Sequence, residues 1–168
     1  MKKRILAALL TLAMVFGMLP AVALAEDNIA PIPSGPVYRA AYAPTVAVDG
    51  ALETVWLTDG TMSGDDTARA FGVLWKGSNL YFAAIPQAGD DSLNITLGET
   101  VITVSKTDGG VAVSGIDGAS AAWTDAAVEV SIPWQTITAY GKLTDMTVSM
   151  GGASWEGVLV TSSLERIF

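Results

Sequence analysis

Residues 93–115 read LNITLGETVITVSKTDGGVAVSG, and their rhythm decides the fold class. Leu93, Ile95 and Leu97 alternate with Asn94 and Thr96, the period of two that sets one side of a strand in a core and the other in water. Asp108-Gly109 then divides ETVITVSK from VAVSG, and an Asp-Gly pair suits the left-handed backbone of a tight hairpin turn. The same period recurs downstream. Val128, Val130 and Ile132 alternate with Glu129 and Ser131, and Met146, Val148 and Met150 with Thr147 and Ser149. Upstream, Lys76-Gly77-Ser78-Asn79 separates FGVLW from LYFAAI as a second predicted hairpin, and Asp117-Gly118 predicts a further turn. The spacing predicts about eight to ten strands and hence an all-β, antiparallel sandwich of jelly-roll or immunoglobulin-like type. The predicted helical piece is one turn of WQTI after Pro133, since proline suits a first helical position.

Toward the N-terminus, Lys2, Lys3 and Arg4 precede a nearly unbroken apolar run from Ile5 to Leu19, and Ala23-Leu24-Ala25 is a small-x-small site. That order predicts a secretory signal peptide over residues 1–25, cut before Glu26. Pro20 breaks the apolar run, and no later stretch is apolar for long enough to cross a bilayer. The expected mature chain is secreted or envelope-associated, with no membrane span. It keeps 143 residues, enough for one domain with a core. Residues 26–37, EDNIAPIPSGPV, are Pro-rich and aperiodic and predict a flexible lead-in, with the sandwich expected over 38–168.

After position 25 there are 17 acidic and 6 basic residues, a net charge of −11. So acidic a surface repels phosphate, so neither nucleic acid nor an anionic membrane is an expected partner. The absence of cysteine and histidine removes disulfides, Ser-His-Asp and Cys-His nucleophiles and the common zinc sites. Haem would depend on Met62, Met146, Met150 or a lysine, and Met146 and Met150 belong to the apolar side of a strand. Glycoside hydrolysis needs two carboxylates roughly 5–10 Å apart. Glu53, Glu99, Glu129 and Glu156 fall on separate strands and turns, with Glu129 expected to face solvent or an edge network. The chain reads as non-catalytic.

Three segments, in order, carry a resemblance: PTVAVDGALETVW at 44–56, VLWKGSNLYFAAI at 73–85 and VEVSIPW at 128–134. They are similar to the P-x-IDG-x-LDE-x-W opening, the VLW-turn-LYV hairpin and the E-x-x-IPW strand end of family 9 carbohydrate-binding modules and the wider DOMON-like β-sandwich group. The resemblance implies a sandwich in which Asp49-Gly50 makes a turn while Leu52 and Trp56 face the core. It also implies sugar binding without catalysis, and calcium as a structural ion. The sugar-clamp segments depart from the pattern. Pro86-Gln87 stand where an acidic residue is usual, QAGDDSLNITLG at 87–98 has no tryptophan, and the late W-R-D-type segment is missing.

Trp56, Trp75 and Trp134 lie within the three segments and are expected inside. Trp123, after a run of small residues, and Trp155, after Gly151-Gly152, are the candidates for stacking on a pyranose ring, with packing at the sandwich edge as the alternative. Tyr38, Tyr42 and Tyr140 come after them. Asp65-Asp66 and Asp90-Asp91 sit in polar loops beside glycine, either as solvated charge or as hard oxygen ligands. For calcium, Asp90 and Asp91 are the expected pair. The expected function is recognition of an oligo- or polysaccharide or a glycan-bearing surface. The alternative is a structural or adhesive domain with a protein partner.

Overall fold

The computed structural model describes residues 35–58, 62–64, 69–134 and 143–160. The signal peptide, most of the lead-in, Asp65-Asp66, Tyr140 and the predicted turn beyond Trp134 lie outside the described residues. Twelve strands run through them: β1 (Val37–Arg39), β2 (Ala41–Tyr42), β3 (Met62–Gly64), β4 (Ala70–Lys76), β5 (Asn79–Ala84), β6 (Ser92–Leu97), β7 (Thr100–Thr107), β8 (Gly110–Ser114), β9 (Ser120–Trp123), β10 (Val128–Pro133), β11 (Leu143–Met150) and β12 (Ala153–Val160). The chain is all-β, in two sheets. The first has the order β1-β12-β11-β6-β7-β8, and the second β2-β4-β5-β10-β9, with β3 also on the outer edge of β4.

The predicted hairpins form. β4 and β5 pair about Gly77, which takes φ +60°, and β7 pairs with β8 from Thr107↔Gly110 to Thr103↔Ser114. The alternation also lands as read in β6 and β11, but not in β10, where Glu129 and Ser131 are buried along with the apolar residues. Leu93, Ile95, Leu97, Val148 and Met150 point inward and are buried, while their polar neighbours stay half-buried on the outer face. Residues from both sheets, among them Phe71, Phe82, Ile95, Ile102, Val130 and Met146, make one hydrophobic core. Met146 and Met150 are packing residues there.

Two features correct the sequence reading. The sheets are mixed rather than purely antiparallel, because β1 joins β12 and β2 joins β4 in parallel. Only Ala40 separates β1 from β2, so the chain crosses from one sheet to the other within a single residue. Strands of three and two residues are too short for any period to show. The second correction is a short helix, α1 (Thr54–Thr58), absent from the expectations. It has no apolar stripe of its own. Its position comes from Trp56, fully buried in a second cluster with Ala43, Val46, Leu74 and Ala83 on the far side of the second sheet. Leu52 packs against that cluster, as expected of it. Both faces of β5 and β10 are therefore covered.

Candidate functional site

A loop at one end of the sandwich, Pro86–Asp91, organises the concave surface. Gln87 and Asp90 close it on themselves: Asp90 N–H donates to the Gln87 carbonyl at 3.0 Å, and Gln87 N–H donates to Asp90 Oδ2 at 2.8 Å. Gly89 supplies the positive φ, +93°, that the turn requires. The Asp90 side chain is buried and would be a costly charge alone. Arg69 Nη1 lies 2.9 and 2.8 Å from its two oxygens and donates also to the Met150 carbonyl at 2.9 Å. Gly151 makes room for this, since a Cβ there would collide with both Asp90 Oδ1 and Arg69 Nη1. Lys106 N–H, donating to the Asp91 carbonyl at 2.8 Å, ties the loop to β7.

Each flank of this loop is hollow. On one side lies a cleft of about 270 Å³ whose walls are Pro86–Asp90, Lys106 and Trp123–Asp125. Trp123 ends β9 on its inner side; part of its ring packs on the core and the rest is open to the cleft. Thr124 fixes the far wall: its hydroxyl donates to the Gly50 carbonyl at 2.6 Å and accepts from Ala126 and Ala127 N–H at 3.1 and 3.2 Å. Asp125, held out by that turn, sits 3.8 Å from Lys106 Nζ. On the other side is an open groove of about 470 Å³ over the outer face of the first sheet, floored by β6, β11 and β12. Gly89 and Asp90 line both hollows.

The candidate residues thus separate. Trp123 and the Asp90 loop come together. Trp155 lines neither hollow and takes the edge-packing role: it faces inward from β12 and stacks at 47° on Phe71, centroids 5.1 Å apart, with Tyr38 edge-on to the same ring at 5.0 Å. The raised pKa of Tyr38 follows from its burial there. Trp56 and Trp134 are buried; Trp75 is half-buried, tilted against the exposed Tyr42. Of the calcium pair, Asp90 already has its cation in Arg69, and Asp91 is exposed, accepting from the Ser92 hydroxyl at 3.1 Å. With one carboxylate so engaged, the loop does not fit a calcium site, which asks for six or more oxygens. Among the described residues no three acidic groups gather as metal ligands.

The residue that sequence reasoning misplaced is Glu129. It is buried, on the face of β10 covered by residues 43–58. Its Oε2 accepts from Asp49 and Gly50 N–H at 3.0 and 2.8 Å, and its Oε1 from Trp56 Nε1–H at 3.2 Å. Glu53 Oε2 accepts from the same indole at 2.9 Å, so two carboxylates that the sequence leaves apart meet across one ring. Burial pushes the Glu129 carboxyl up, the two backbone N–H groups draw it down, and Glu53 and Asp49 add repulsion. Both carboxylates lie away from the two hollows. The first and third segments of the family resemblance are joined at this point. No protein-family model, curated protein or solved structure matches the chain.

Proposed function

We propose that the chain is an exported, non-catalytic module of DOMON-like sandwich type that holds carbohydrate in the cleft walled by Trp123. The observation that carries this reading is the pairing of one half-exposed indole with polar groups held by a stiff loop. A sugar ring offers an apolar face to stack on the indole and a rim of hydroxyls for Gln87, Lys106 and Asp125 to bond. Arg69 and Asp90 keep that wall in place before ligand arrives, which lowers the ordering cost of binding. Neither member of the acid pair, Glu53 and Glu129, lines the Trp123 cleft, which supports recognition over hydrolysis there. Affinity electrophoresis through soluble plant, microbial and host glycans tests the reading. Retardation is expected with a glycan subset and is expected to vanish in Trp123→Ala. A chain that migrates freely through every glycan, or a Trp123→Ala variant retarded like the parent, overturns it.

A second reading has one observation in its favour. Among the described residues nothing pairs with the outer edge of β8, GVAVS, which carries no charge and no proline. Such an edge accepts strand addition, the contact an adhesive domain would use. A concentration-dependent oligomer abolished by Val113→Pro, which removes an N–H on the outer edge of β8, would favour it.

A further inference from the structure

We propose that the ligand site continues past the Trp123 cleft, over the 86–91 loop and into the groove on the outer face of the first sheet, so that the fitted ligand is an extended, uncharged oligosaccharide spanning two subsites. The inference rests on the carbohydrate reading above. The two hollows are neighbours by construction, since Gly89 and Asp90 belong to the wall of each.

The groove floor is a polar row set by strand register. Ser154 lies opposite Ser149 and Ser149 opposite Asn94, across β12, β11 and β6, while Thr103 of β7, opposite Asn94, continues the row beyond the groove. Asn94 and Ser149 alternate with the buried Leu93, Ile95, Val148 and Met150, and the exposed Ser154 with the inward-facing Trp155, so the row faces outward. Neighbouring strands lie about 4.8 Å apart, which spaces these groups closely enough for successive ring hydroxyls to meet them. Thr103 Oγ1 donates to Asn94 Oδ1 at 2.9 Å, and the Asn94 amide N–H groups have no protein partner among the described residues, so they are available to a ligand in the groove that Asn94 lines.

Charge selects the ligand. No lysine, arginine or aromatic residue lines the groove, and its exposed charge is Asp91. Hydroxyls and an amide both give and accept hydrogen bonds, which matches a neutral polyol. The carboxylate, on a chain with excess negative charge, repels uronic acid, sulfate and phosphate groups. Stacking on Trp123 then supplies most of the affinity, and the groove supplies chain-length dependence. Two linked contacts on one ligand bind more tightly than either alone.

The test is a calorimetric or tryptophan-emission titration of the full chain with cello- and malto-oligosaccharides from disaccharide to hexasaccharide, with oligogalacturonate as the anionic counterpart. Affinity is expected to rise about tenfold or more between the disaccharide and the hexasaccharide of the recognised series, and oligogalacturonate to bind no better than the disaccharide. The double substitution Asn94→Ala, Ser149→Val is expected to reduce hexasaccharide affinity to the disaccharide level while disaccharide affinity and the unfolding midpoint stay unchanged. Trp123-dependent binding that is equal for all lengths, or a hexasaccharide indifferent to the double substitution, overturns the two-subsite track and leaves the cleft reading standing. If neither neutral series binds, the proposal is overturned, and free migration through the wider glycan set above overturns the cleft reading with it.

Discussion

Glu129 shows how one carboxylate can organise a fold. Three N–H donors from Asp49, Gly50 and Trp56 converge on it and fasten the 43–58 segment to the second sheet. Glu129→Ala would leave the two backbone donors buried without that acceptor, and is expected to lower unfolding free energy by on the order of 2–3 kcal/mol. The pH dependence has a definite sign. Because the native carboxyl is raised above its ordinary 4.5 by burial, the folded chain holds that proton to higher pH than the unfolded chain does. Its contribution to stability is complete below the unfolded value and is lost as pH rises through the native one. Glu129→Gln, which cannot ionise, is expected to flatten this part of the profile in urea unfolding across the acid range; an unchanged slope would place the titration on another group. Trp155 makes a different case. Its contact with Phe71 predicts that Trp155→Ala lowers stability by about 2 kcal/mol, less than a fully enclosed ring would cost, while glycan retardation is unchanged. Its inward direction was readable, since Trp155 and Leu159 alternate with Ser154 and Glu156. Glu129 was not readable: alternation places it opposite the apolar residues, and nothing local reveals that another segment covers that side.

Among the elements, the long ones were legible and the short ones were not. β6, β10 and the 146–150 part of β11 hold a period of two over five or six residues, and Gly77 supplies the positive φ that its hairpin needs, whereas in the β7–β8 hairpin the positive φ falls on Gly110 rather than on Gly109. β1, β2 and α1 depend on distant partners instead: β1 follows β12, β2 follows β4, and α1 follows the packing of Trp56. The 86–91 loop belongs with them. Its polar composition suggested solvated charge, yet its shape is set by Arg69, 21 residues away from Asp90. Removing that partner strands a buried carboxylate, so Arg69→Ala is expected to cost about 3–5 kcal/mol. It is also expected to raise amide exchange at Gln87 and Asp90 and to weaken glycan retardation. Full retention of both stability and exchange protection would show that the loop stands without the ion pair. Trp123 could be named as a candidate from the sequence; the cleft beside it, formed by β7, β9 and this loop, could not.

At the scale of the whole molecule, stability comes from one sandwiched core and one covered outer face, without a cysteine anywhere in the chain. Excess negative charge works against compactness, and dissolved salt screens it over roughly 10 Å. The melting temperature is therefore expected to rise as sodium chloride is added from low to physiological ionic strength. A fall would mean that local pairs such as Arg69–Asp90 outweigh the general repulsion. The parallel contact of β1 with β12 reaches further. Val37 faces Val158 and Arg39 faces Val160, with Pro36 accepting from Val158 N–H at 2.9 Å. If the two ends of the domain are drawn in opposite directions, these neighbouring strands slide along each other rather than peel apart. Their bonds then resist together as a mechanical clamp, and the rate of forced unfolding, rather than equilibrium stability, governs how long the domain survives under tension.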